Sequence, residues 1–135
     1  MKISARGVYA VEIMLDILQY GEKTPVSMKD VATRRDISNK YAEQVVSILS
    51  FAGLVNSIRG PKGGYQATES AKKATVGTVL RLTESILKEQ NQEQESACLS
   101  CVLTELDEAI DKVLDSHTLM QMLEMKRDTW NDYVI

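Results

Sequence analysis

Apolar residues recur at helical spacing from Ile3 to Tyr20. Val8, Val11, Leu15 and Leu18 mark one face, and Ile13, Met14 and Ile17 widen it. A helix this apolar is expected to be buried, against both the elements that follow it and a second copy of the chain. Gly21 to Pro25 reads as a loop. Ser27 is a good N-cap, and Asp30 favours the free N–H groups of the first turn, so a short helix runs from Met28 to Arg35. Asp36-Ile37 breaks the pattern. Ser38 then caps a second helix, from about Asn39 to Ala52, in which Tyr41, Val45, Ile48 and Leu49 repeat. Gly53 stands where that helix stops.

The pattern then becomes extended. Leu54 to Arg59 is one strand-like run, Gly60-Pro61-Lys62-Gly63-Gly64 is a turn, and Tyr65 to Ala67 runs back. Two helices across a tight turn, followed by a glycine-rich hairpin with a cationic tip, make a winged helix-turn-helix. The predicted class is mainly α, with a small two-stranded wing. A helix fits the major groove of DNA, and a thin hairpin reaches a phosphate or a narrow minor groove.

Residues near the start of the second helix normally meet base edges, which selects Ser38, Asn39, Lys40, Tyr41 and Gln44. Gln pairs with adenine, and Lys with guanine or a phosphate. Tyr41 serves equally well as a core anchor whose hydroxyl reaches a phosphate. Glu43 is an anion on a face that should meet phosphates. It either accepts from a cytosine amino group or filters out wrong sites. The wing tip adds Arg59, Gly60, Pro61, Lys62 and Gly63, and Arg6 is either a phosphate contact or a plain surface cation. The competing reading is a protein–protein adaptor that has kept the winged shape without binding DNA.

Beyond Ser70 to Ala74 a helix is predicted from Val76 to Lys88. A polar run from Lys88 to Ala97 then reads as a loop or a frayed helix end. From Cys98 to Leu114 an apolar stripe carries Leu99, Val102, Leu103, Leu106, Ala109, Ile110, Val113 and Leu114. The winged unit is complete before this helix begins, so the stripe is expected to pair with its copy in a second subunit, or to pack on its own chain. Asp115 to Thr118 breaks the helix, and Leu119, Met120, Met122 and Leu123 begin a short final one. Trp130, Tyr133 and Ile135 are expected to dock on the body or on a partner. Residues 1–75 are thus read as a DNA-binding domain, and residues 76–135 as a helical dimerisation and effector segment.

The net charge of −3 seems to oppose nucleic-acid binding, but the charges are unevenly spread. Residues 1–83 carry 12 Lys and Arg against 7 Asp and Glu, whereas residues 84–135 carry 4 against 12. A basic half beside an acidic half suits a DNA-contacting body with a distal joining segment. No apolar run is long enough to span a bilayer and no leader is evident, so a cytoplasmic location without membrane contact is expected. Catalysis is not expected. There is no phosphate loop, no Gly-x-Ser-x-Gly, no His-Glu-x-x-His, and a single His.

Ser-Asn-Lys-Tyr-Ala-Glu-Gln, Ala-Gly-Leu-Val and Arg-Gly-Pro-Lys-Gly-Gly-Tyr, with the opening Met1-Lys-Ile-Ser-Ala-Arg-Gly-Val-Tyr-Ala, resemble a family of winged-helix bacterial regulators. That family includes the iron–sulfur cluster regulator IscR, the nitric-oxide sensor NsrR and the cysteine-metabolism repressor CymR. The resemblance covers nearly the whole chain. It implies a dimeric transcription factor on double-stranded DNA, with Arg59 and Gly60 in the wing contact, and a protein or small molecule as effector.

Cys98 and Cys101 lie three residues apart at a helix start, a placement that favours metal binding or oxidation. In cluster-bearing members three cysteines occupy this region. Cys98 matches the last of them, and Cys101 falls where one branch carries a further ligand. The two earlier positions fall in the Gln- and Glu-rich run. A cluster usually takes four protein ligands, so two are half a set, and zinc has only His117 to add. No cofactor is therefore expected, with an iron–sulfur cluster as the alternative. The pair is read as a redox switch, as metal ligands or as inert helix residues. The incomplete ligand set makes a repressor of sulfur or cysteine metabolism the leading expectation, with a cluster-sensing regulator behind it.

Overall fold

A computed structural model describes residues 2–87 and 96–125. In chain order it comprises α1 (Ala5–Tyr20), α2 (Met28–Arg35), α3 (Asn39–Phe51), β1 (Val55–Ile58), β2 (Gly64–Ala67), α4 (Glu69–Lys73), α5 (Val76–Thr83), a 3-10 turn (Ser85–Leu87) and α6 (Ala97–Asp115). Helical backbone resumes over 119–125. The expectations for Lys88 to Glu95 and for Trp130, Tyr133 and Ile135 lie outside the described residues.

The caps act where sequence chemistry puts them. Ser27 Oγ accepts from the Asp30 N–H at 3.1 Å, and Ser38 Oγ from the Tyr41 N–H at 3.1 Å. Between the two helices Asp36 adopts the left-handed conformation (φ 54°), which a short polar side chain tolerates, and this turns the chain from α2 into α3. α3 ends at Gly53 (φ 79°), with the Leu54 N–H reaching back to the Leu49 carbonyl at 3.0 Å.

α1 is the central element. Ile13, Met14 and Ile17 are fully buried, and they share a core with Val31 of α2, Val45, Val46 and Leu49 of α3, Val55 of β1 and Val79 of α5. Each such side chain contributes about 1.5–3 kcal/mol of burial. Val8, expected on the buried face, is 47% exposed instead. The buried arc runs through Ala10, Val11 and the residues that follow. The core also continues past residue 75, since Val79, Leu80 and Leu119 belong to it.

α5 stops at Thr83 rather than continuing to Lys88. Glu84 leaves helical geometry and turns its carboxylate inward. There it accepts from the Ser4 N–H (3.0 Å) and the Ser4 hydroxyl (2.7 Å), while Ser4 Oγ caps α1 through the Gly7 N–H. The short helix α4, capped by Thr68, was not foreseen.

Two ionic clamps fix helix positions. Asp16 on α1 is completely buried and receives two hydrogen bonds from Arg34, at 2.7 and 3.0 Å, with Arg35 Nε 3.5 Å away. Arg35 also pairs with Glu12, and the Arg34 guanidinium lies over the Tyr20 ring. These contacts join the end of α2 to α1. The second clamp joins α5 to the end of α6. Arg81 holds Asp115 at 2.7 and 3.0 Å and Asp111 at 2.9 Å. Gly77 lies under it, where an added Cβ would sit 3.0 Å from the Leu114 Cβ. The Arg81 hydrogen bonds and charge hold the Asp115 carboxyl below its usual range.

Arg34→Ala leaves the buried Asp16 carboxylate with Arg35 alone. Arg34 is itself partly exposed, so the expected loss is about 1–3 kcal/mol in urea-unfolding free energy. Because the Asp115 value is lowered on folding, the Arg81 clamp stabilises fully above roughly pH 4, the ordinary carboxylate range, and its contribution is lost as the pH falls further. In parallel acid titrations of unfolding, Arg81→Gln is expected to lack this acid-sensitive part.

Candidate nucleic-acid interface

α3 has one buried side and one free side. Ala42, Val45, Val46 and Leu49 face the core, whereas Asn39, Lys40, Glu43, Gln44 and Ser47 are exposed. The free residues are spaced one turn apart, so they form one continuous stripe. Phe51, 97% exposed, stands at the far end of the same stripe. Of the residues selected at the start of α3, Asn39, Lys40 and Gln44 are free to meet a ligand. Ser38 is exposed, and its oxygen is engaged as the cap. Tyr41 is half-buried, its ring edge-on to Tyr9 with centroids 5.6 Å apart, which is the packing of an anchor.

The wing pairs in simple antiparallel register, Val55 with Ala67 through Ile58 with Gly64. A third segment joins it, as Val26 and Tyr65 exchange two backbone hydrogen bonds of 2.9 and 2.8 Å. Gly64 makes this approach feasible. Its φ is 155°, and an added Cβ would lie 2.5 Å from the Val26 carbonyl oxygen. At the tip the Gly63 N–H closes on the Gly60 carbonyl at 2.9 Å. Arg59, Gly60, Pro61 and Lys62 are exposed, and Gly63 is half-buried.

Sequence reasoning missed two features here. Lys23, assigned only to a loop, shares an open cleft with Arg59 and Lys62 and adds a third cation to that side of the wing. Tyr65, read only as the start of a strand, spans from the wing to the reading helix. Its hydroxyl donates to Glu43 Oε2 at 3.5 Å, and Ser57 is its cross-strand neighbour on β1. Burial and the Glu43 charge raise the Tyr65 pKa above its ordinary value. The strand register that pairs Ser57 with Tyr65 was the available signal; the approach of Glu43 depends on how α3 packs. Arg6 is exposed near the start of α1. Arg34 and Arg35, cations in the same motif, are held on α1 and are not part of this face.

Cys98 and Cys101 are both exposed in the first turns of α6, behind the cap formed by Ser96 Oγ and the Leu99 N–H. Among the described residues no group of three or more His, Cys, Asp or Glu side chains is placed to hold a metal ion. Two thiols do not make the four-ligand set of an iron–sulfur cluster. Also among the described residues, no helix is long and apolar enough to cross a membrane.

Residues 3–125 match the family Rrf2, described as an iron-dependent transcriptional regulator. The regulator IscR of Vibrio atlanticus is 46% identical over 80 residues, 59% of this chain and 46% of its own length. The chain thus spans about half the length of the Vibrio IscR proteins it matches. The regulator CymR of Bacillus subtilis is 37% identical over 120 residues, 88% of this chain and 87% of that one. The solved structure of CymR, described as the global cysteine regulator of B. subtilis, superposes with a TM-score of 0.80 at 34% identity. That superposition covers 93% of this chain and 98% of the other.

Proposed function

The chain belongs to the Rrf2 family of transcriptional regulators, and from that premise we propose that it binds a specific double-stranded DNA operator as a homodimer and represses the genes beside it. Members of the family regulate transcription and are not enzymes. The observation that carries the reading is the placement of two free surfaces side by side. The exposed stripe of α3 and the cationic wing adjoin where Tyr65 touches Glu43. A helix stripe for the major groove next to a thin basic hairpin for the flanking minor groove suits B-form DNA.

In this reading Asn39, Lys40 and Gln44 meet base edges, and Ser38 and Tyr41 meet phosphate through their hydroxyls. Glu43 screens bases, and the tip from Arg59 to Gly63 enters the minor groove, with Lys23 supporting it at the backbone. Residues 1–75 carry the reading surface and residues 76–135 the joining one. α6 supports the dimer. It is a 19-residue helix with no buried residue in the single chain, and Leu99, Val102, Leu106 and Val113 are about half exposed or more. A stripe this long is accounted for by its symmetric copy. The operator is then a pseudo-palindrome with half-sites one or more helical turns apart.

Sulfur or cysteine metabolism is the regulon this reading favours. The likeness to the global cysteine regulator covers nearly all of the chain, and two thiols suit a redox response better than a cluster does. The likeness to IscR supports a cluster-sensing alternative, in which Cys98 and Cys101 would supply half of the ligands.

Arg59→Ala is expected to weaken operator binding by about 1–3 kcal/mol in a gel-shift titration, with an unchanged circular-dichroism melting curve. Unaltered affinity would overturn the wing's assigned role. Leu106→Glu is expected to yield monomers in sedimentation and to abolish simultaneous occupation of both half-sites. A variant that stays dimeric would remove α6 as the joining surface.

A further inference from the structure

We infer that Tyr65 is a specificity-positioning residue: its hydroxyl, held by the wing, fixes the carboxylate of Glu43 on α3, so that wing and reading helix select bases as one unit. This rests on the proposed DNA-binding function and names a residue that determines its selectivity. Glu43 is an exposed side chain with several accessible rotamers, and an anion on a DNA-facing stripe discriminates only if its position is defined. Among the described contacts, its carboxylate has one hydrogen-bond donor, the Tyr65 hydroxyl at 3.5 Å.

Tyr65 is itself well fixed. Both of its backbone hydrogen bonds to Val26 are 2.9 Å or shorter, its ring is half-buried against the core, and Ser57 lies opposite it across the strand pair. A path therefore runs from β1 across the strand pair to Tyr65 and on to Glu43. Ser57 is two residues from Arg59 at the wing tip. Seating Arg59 in the minor groove thus bears, through strand β1 and Tyr65, on the position of the carboxylate in the major groove. The raised Tyr65 pKa keeps the phenol protonated as the donor.

The test is selection of bound fragments from a random duplex library by the full-length wild type, Glu43→Gln, Tyr65→Phe and the double variant. Tyr65→Phe keeps the ring and removes only the hydroxyl, and an unchanged melting midpoint confirms the fold. The expected result is that Glu43→Gln and Tyr65→Phe relax base preference at the same operator position. Tyr65→Phe should lose about threefold to tenfold in discrimination, and the double variant should match Glu43→Gln alone. A Tyr65→Phe profile identical to wild type, beside a relaxed Glu43→Gln profile, would overturn the inference and leave the DNA-binding function standing. Additive effects at different positions would also overturn it. Wild-type protein that selects no sequence would overturn the function itself.

Discussion

The buried carboxylate of Asp16 is the constraint on which the architecture depends. A charge fully removed from water is tolerated only with a close, well-oriented partner, and Arg34 supplies two hydrogen bonds to it. That requirement fixes the end of α2 on α1. The left-handed turn at Asp36 then determines how α3 leaves α2, and the packing of Val45, Val46 and Leu49 on α1 sets its rotation. The stripe that α3 leaves free follows from these contacts. Two cations of the helix-turn-helix, Arg34 and Arg35, are thereby committed to structure.

Much of this was legible in the residues. Ser27, Ser38 and Gly53 carry local chemistry strong enough to set helix ends without help from the rest of the fold. The wing was equally clear, because its turn residues and strand alternation are adjacent in sequence. What stayed hidden depends on pairs far apart in the chain. The early end of α5 comes from Glu84 seeking Ser4, eighty residues away, and helical periodicity carries no sign of that attraction. Val8 was misplaced because α1 is apolar on more sides than the core can cover. At the candidate site the exposed residues were found by motif, whereas the Tyr65 contact depends on the angle between wing and helix and has no local signature.

The two halves of the chain differ in what completes them. Around α1, Ile13, Met14, Leu15 and Ile17 find cover within one copy while Val8 and Tyr20 stay about half exposed, and the hydrogen bonds of Glu84 and Val26 close the edges. α6 is the opposite case: Leu103, Ile110 and Leu114 are half-buried, but no residue is fully buried and Leu99, Val102, Leu106 and Val113 are about half exposed or more. Its acidic neighbours, Glu105, Asp107, Glu108 and Asp111, keep the remaining surface hydrated. This division parallels the charge pattern, since the net positive charge lies in residues 1–83 and the net negative charge in residues 84–135.

The Arg81 clamp has a mechanical corollary. It grips α6 near Asp111 and Asp115, while Cys98 lies at the opposite end, about 25 Å along the axis. A rod pinned at one tip amplifies rotation at the other, so a tilt of about 10° at the grip sweeps the sulfur atoms through roughly 4 Å. Both thiols are exposed in the single chain, so such a sweep carries them through solvent and not through the core.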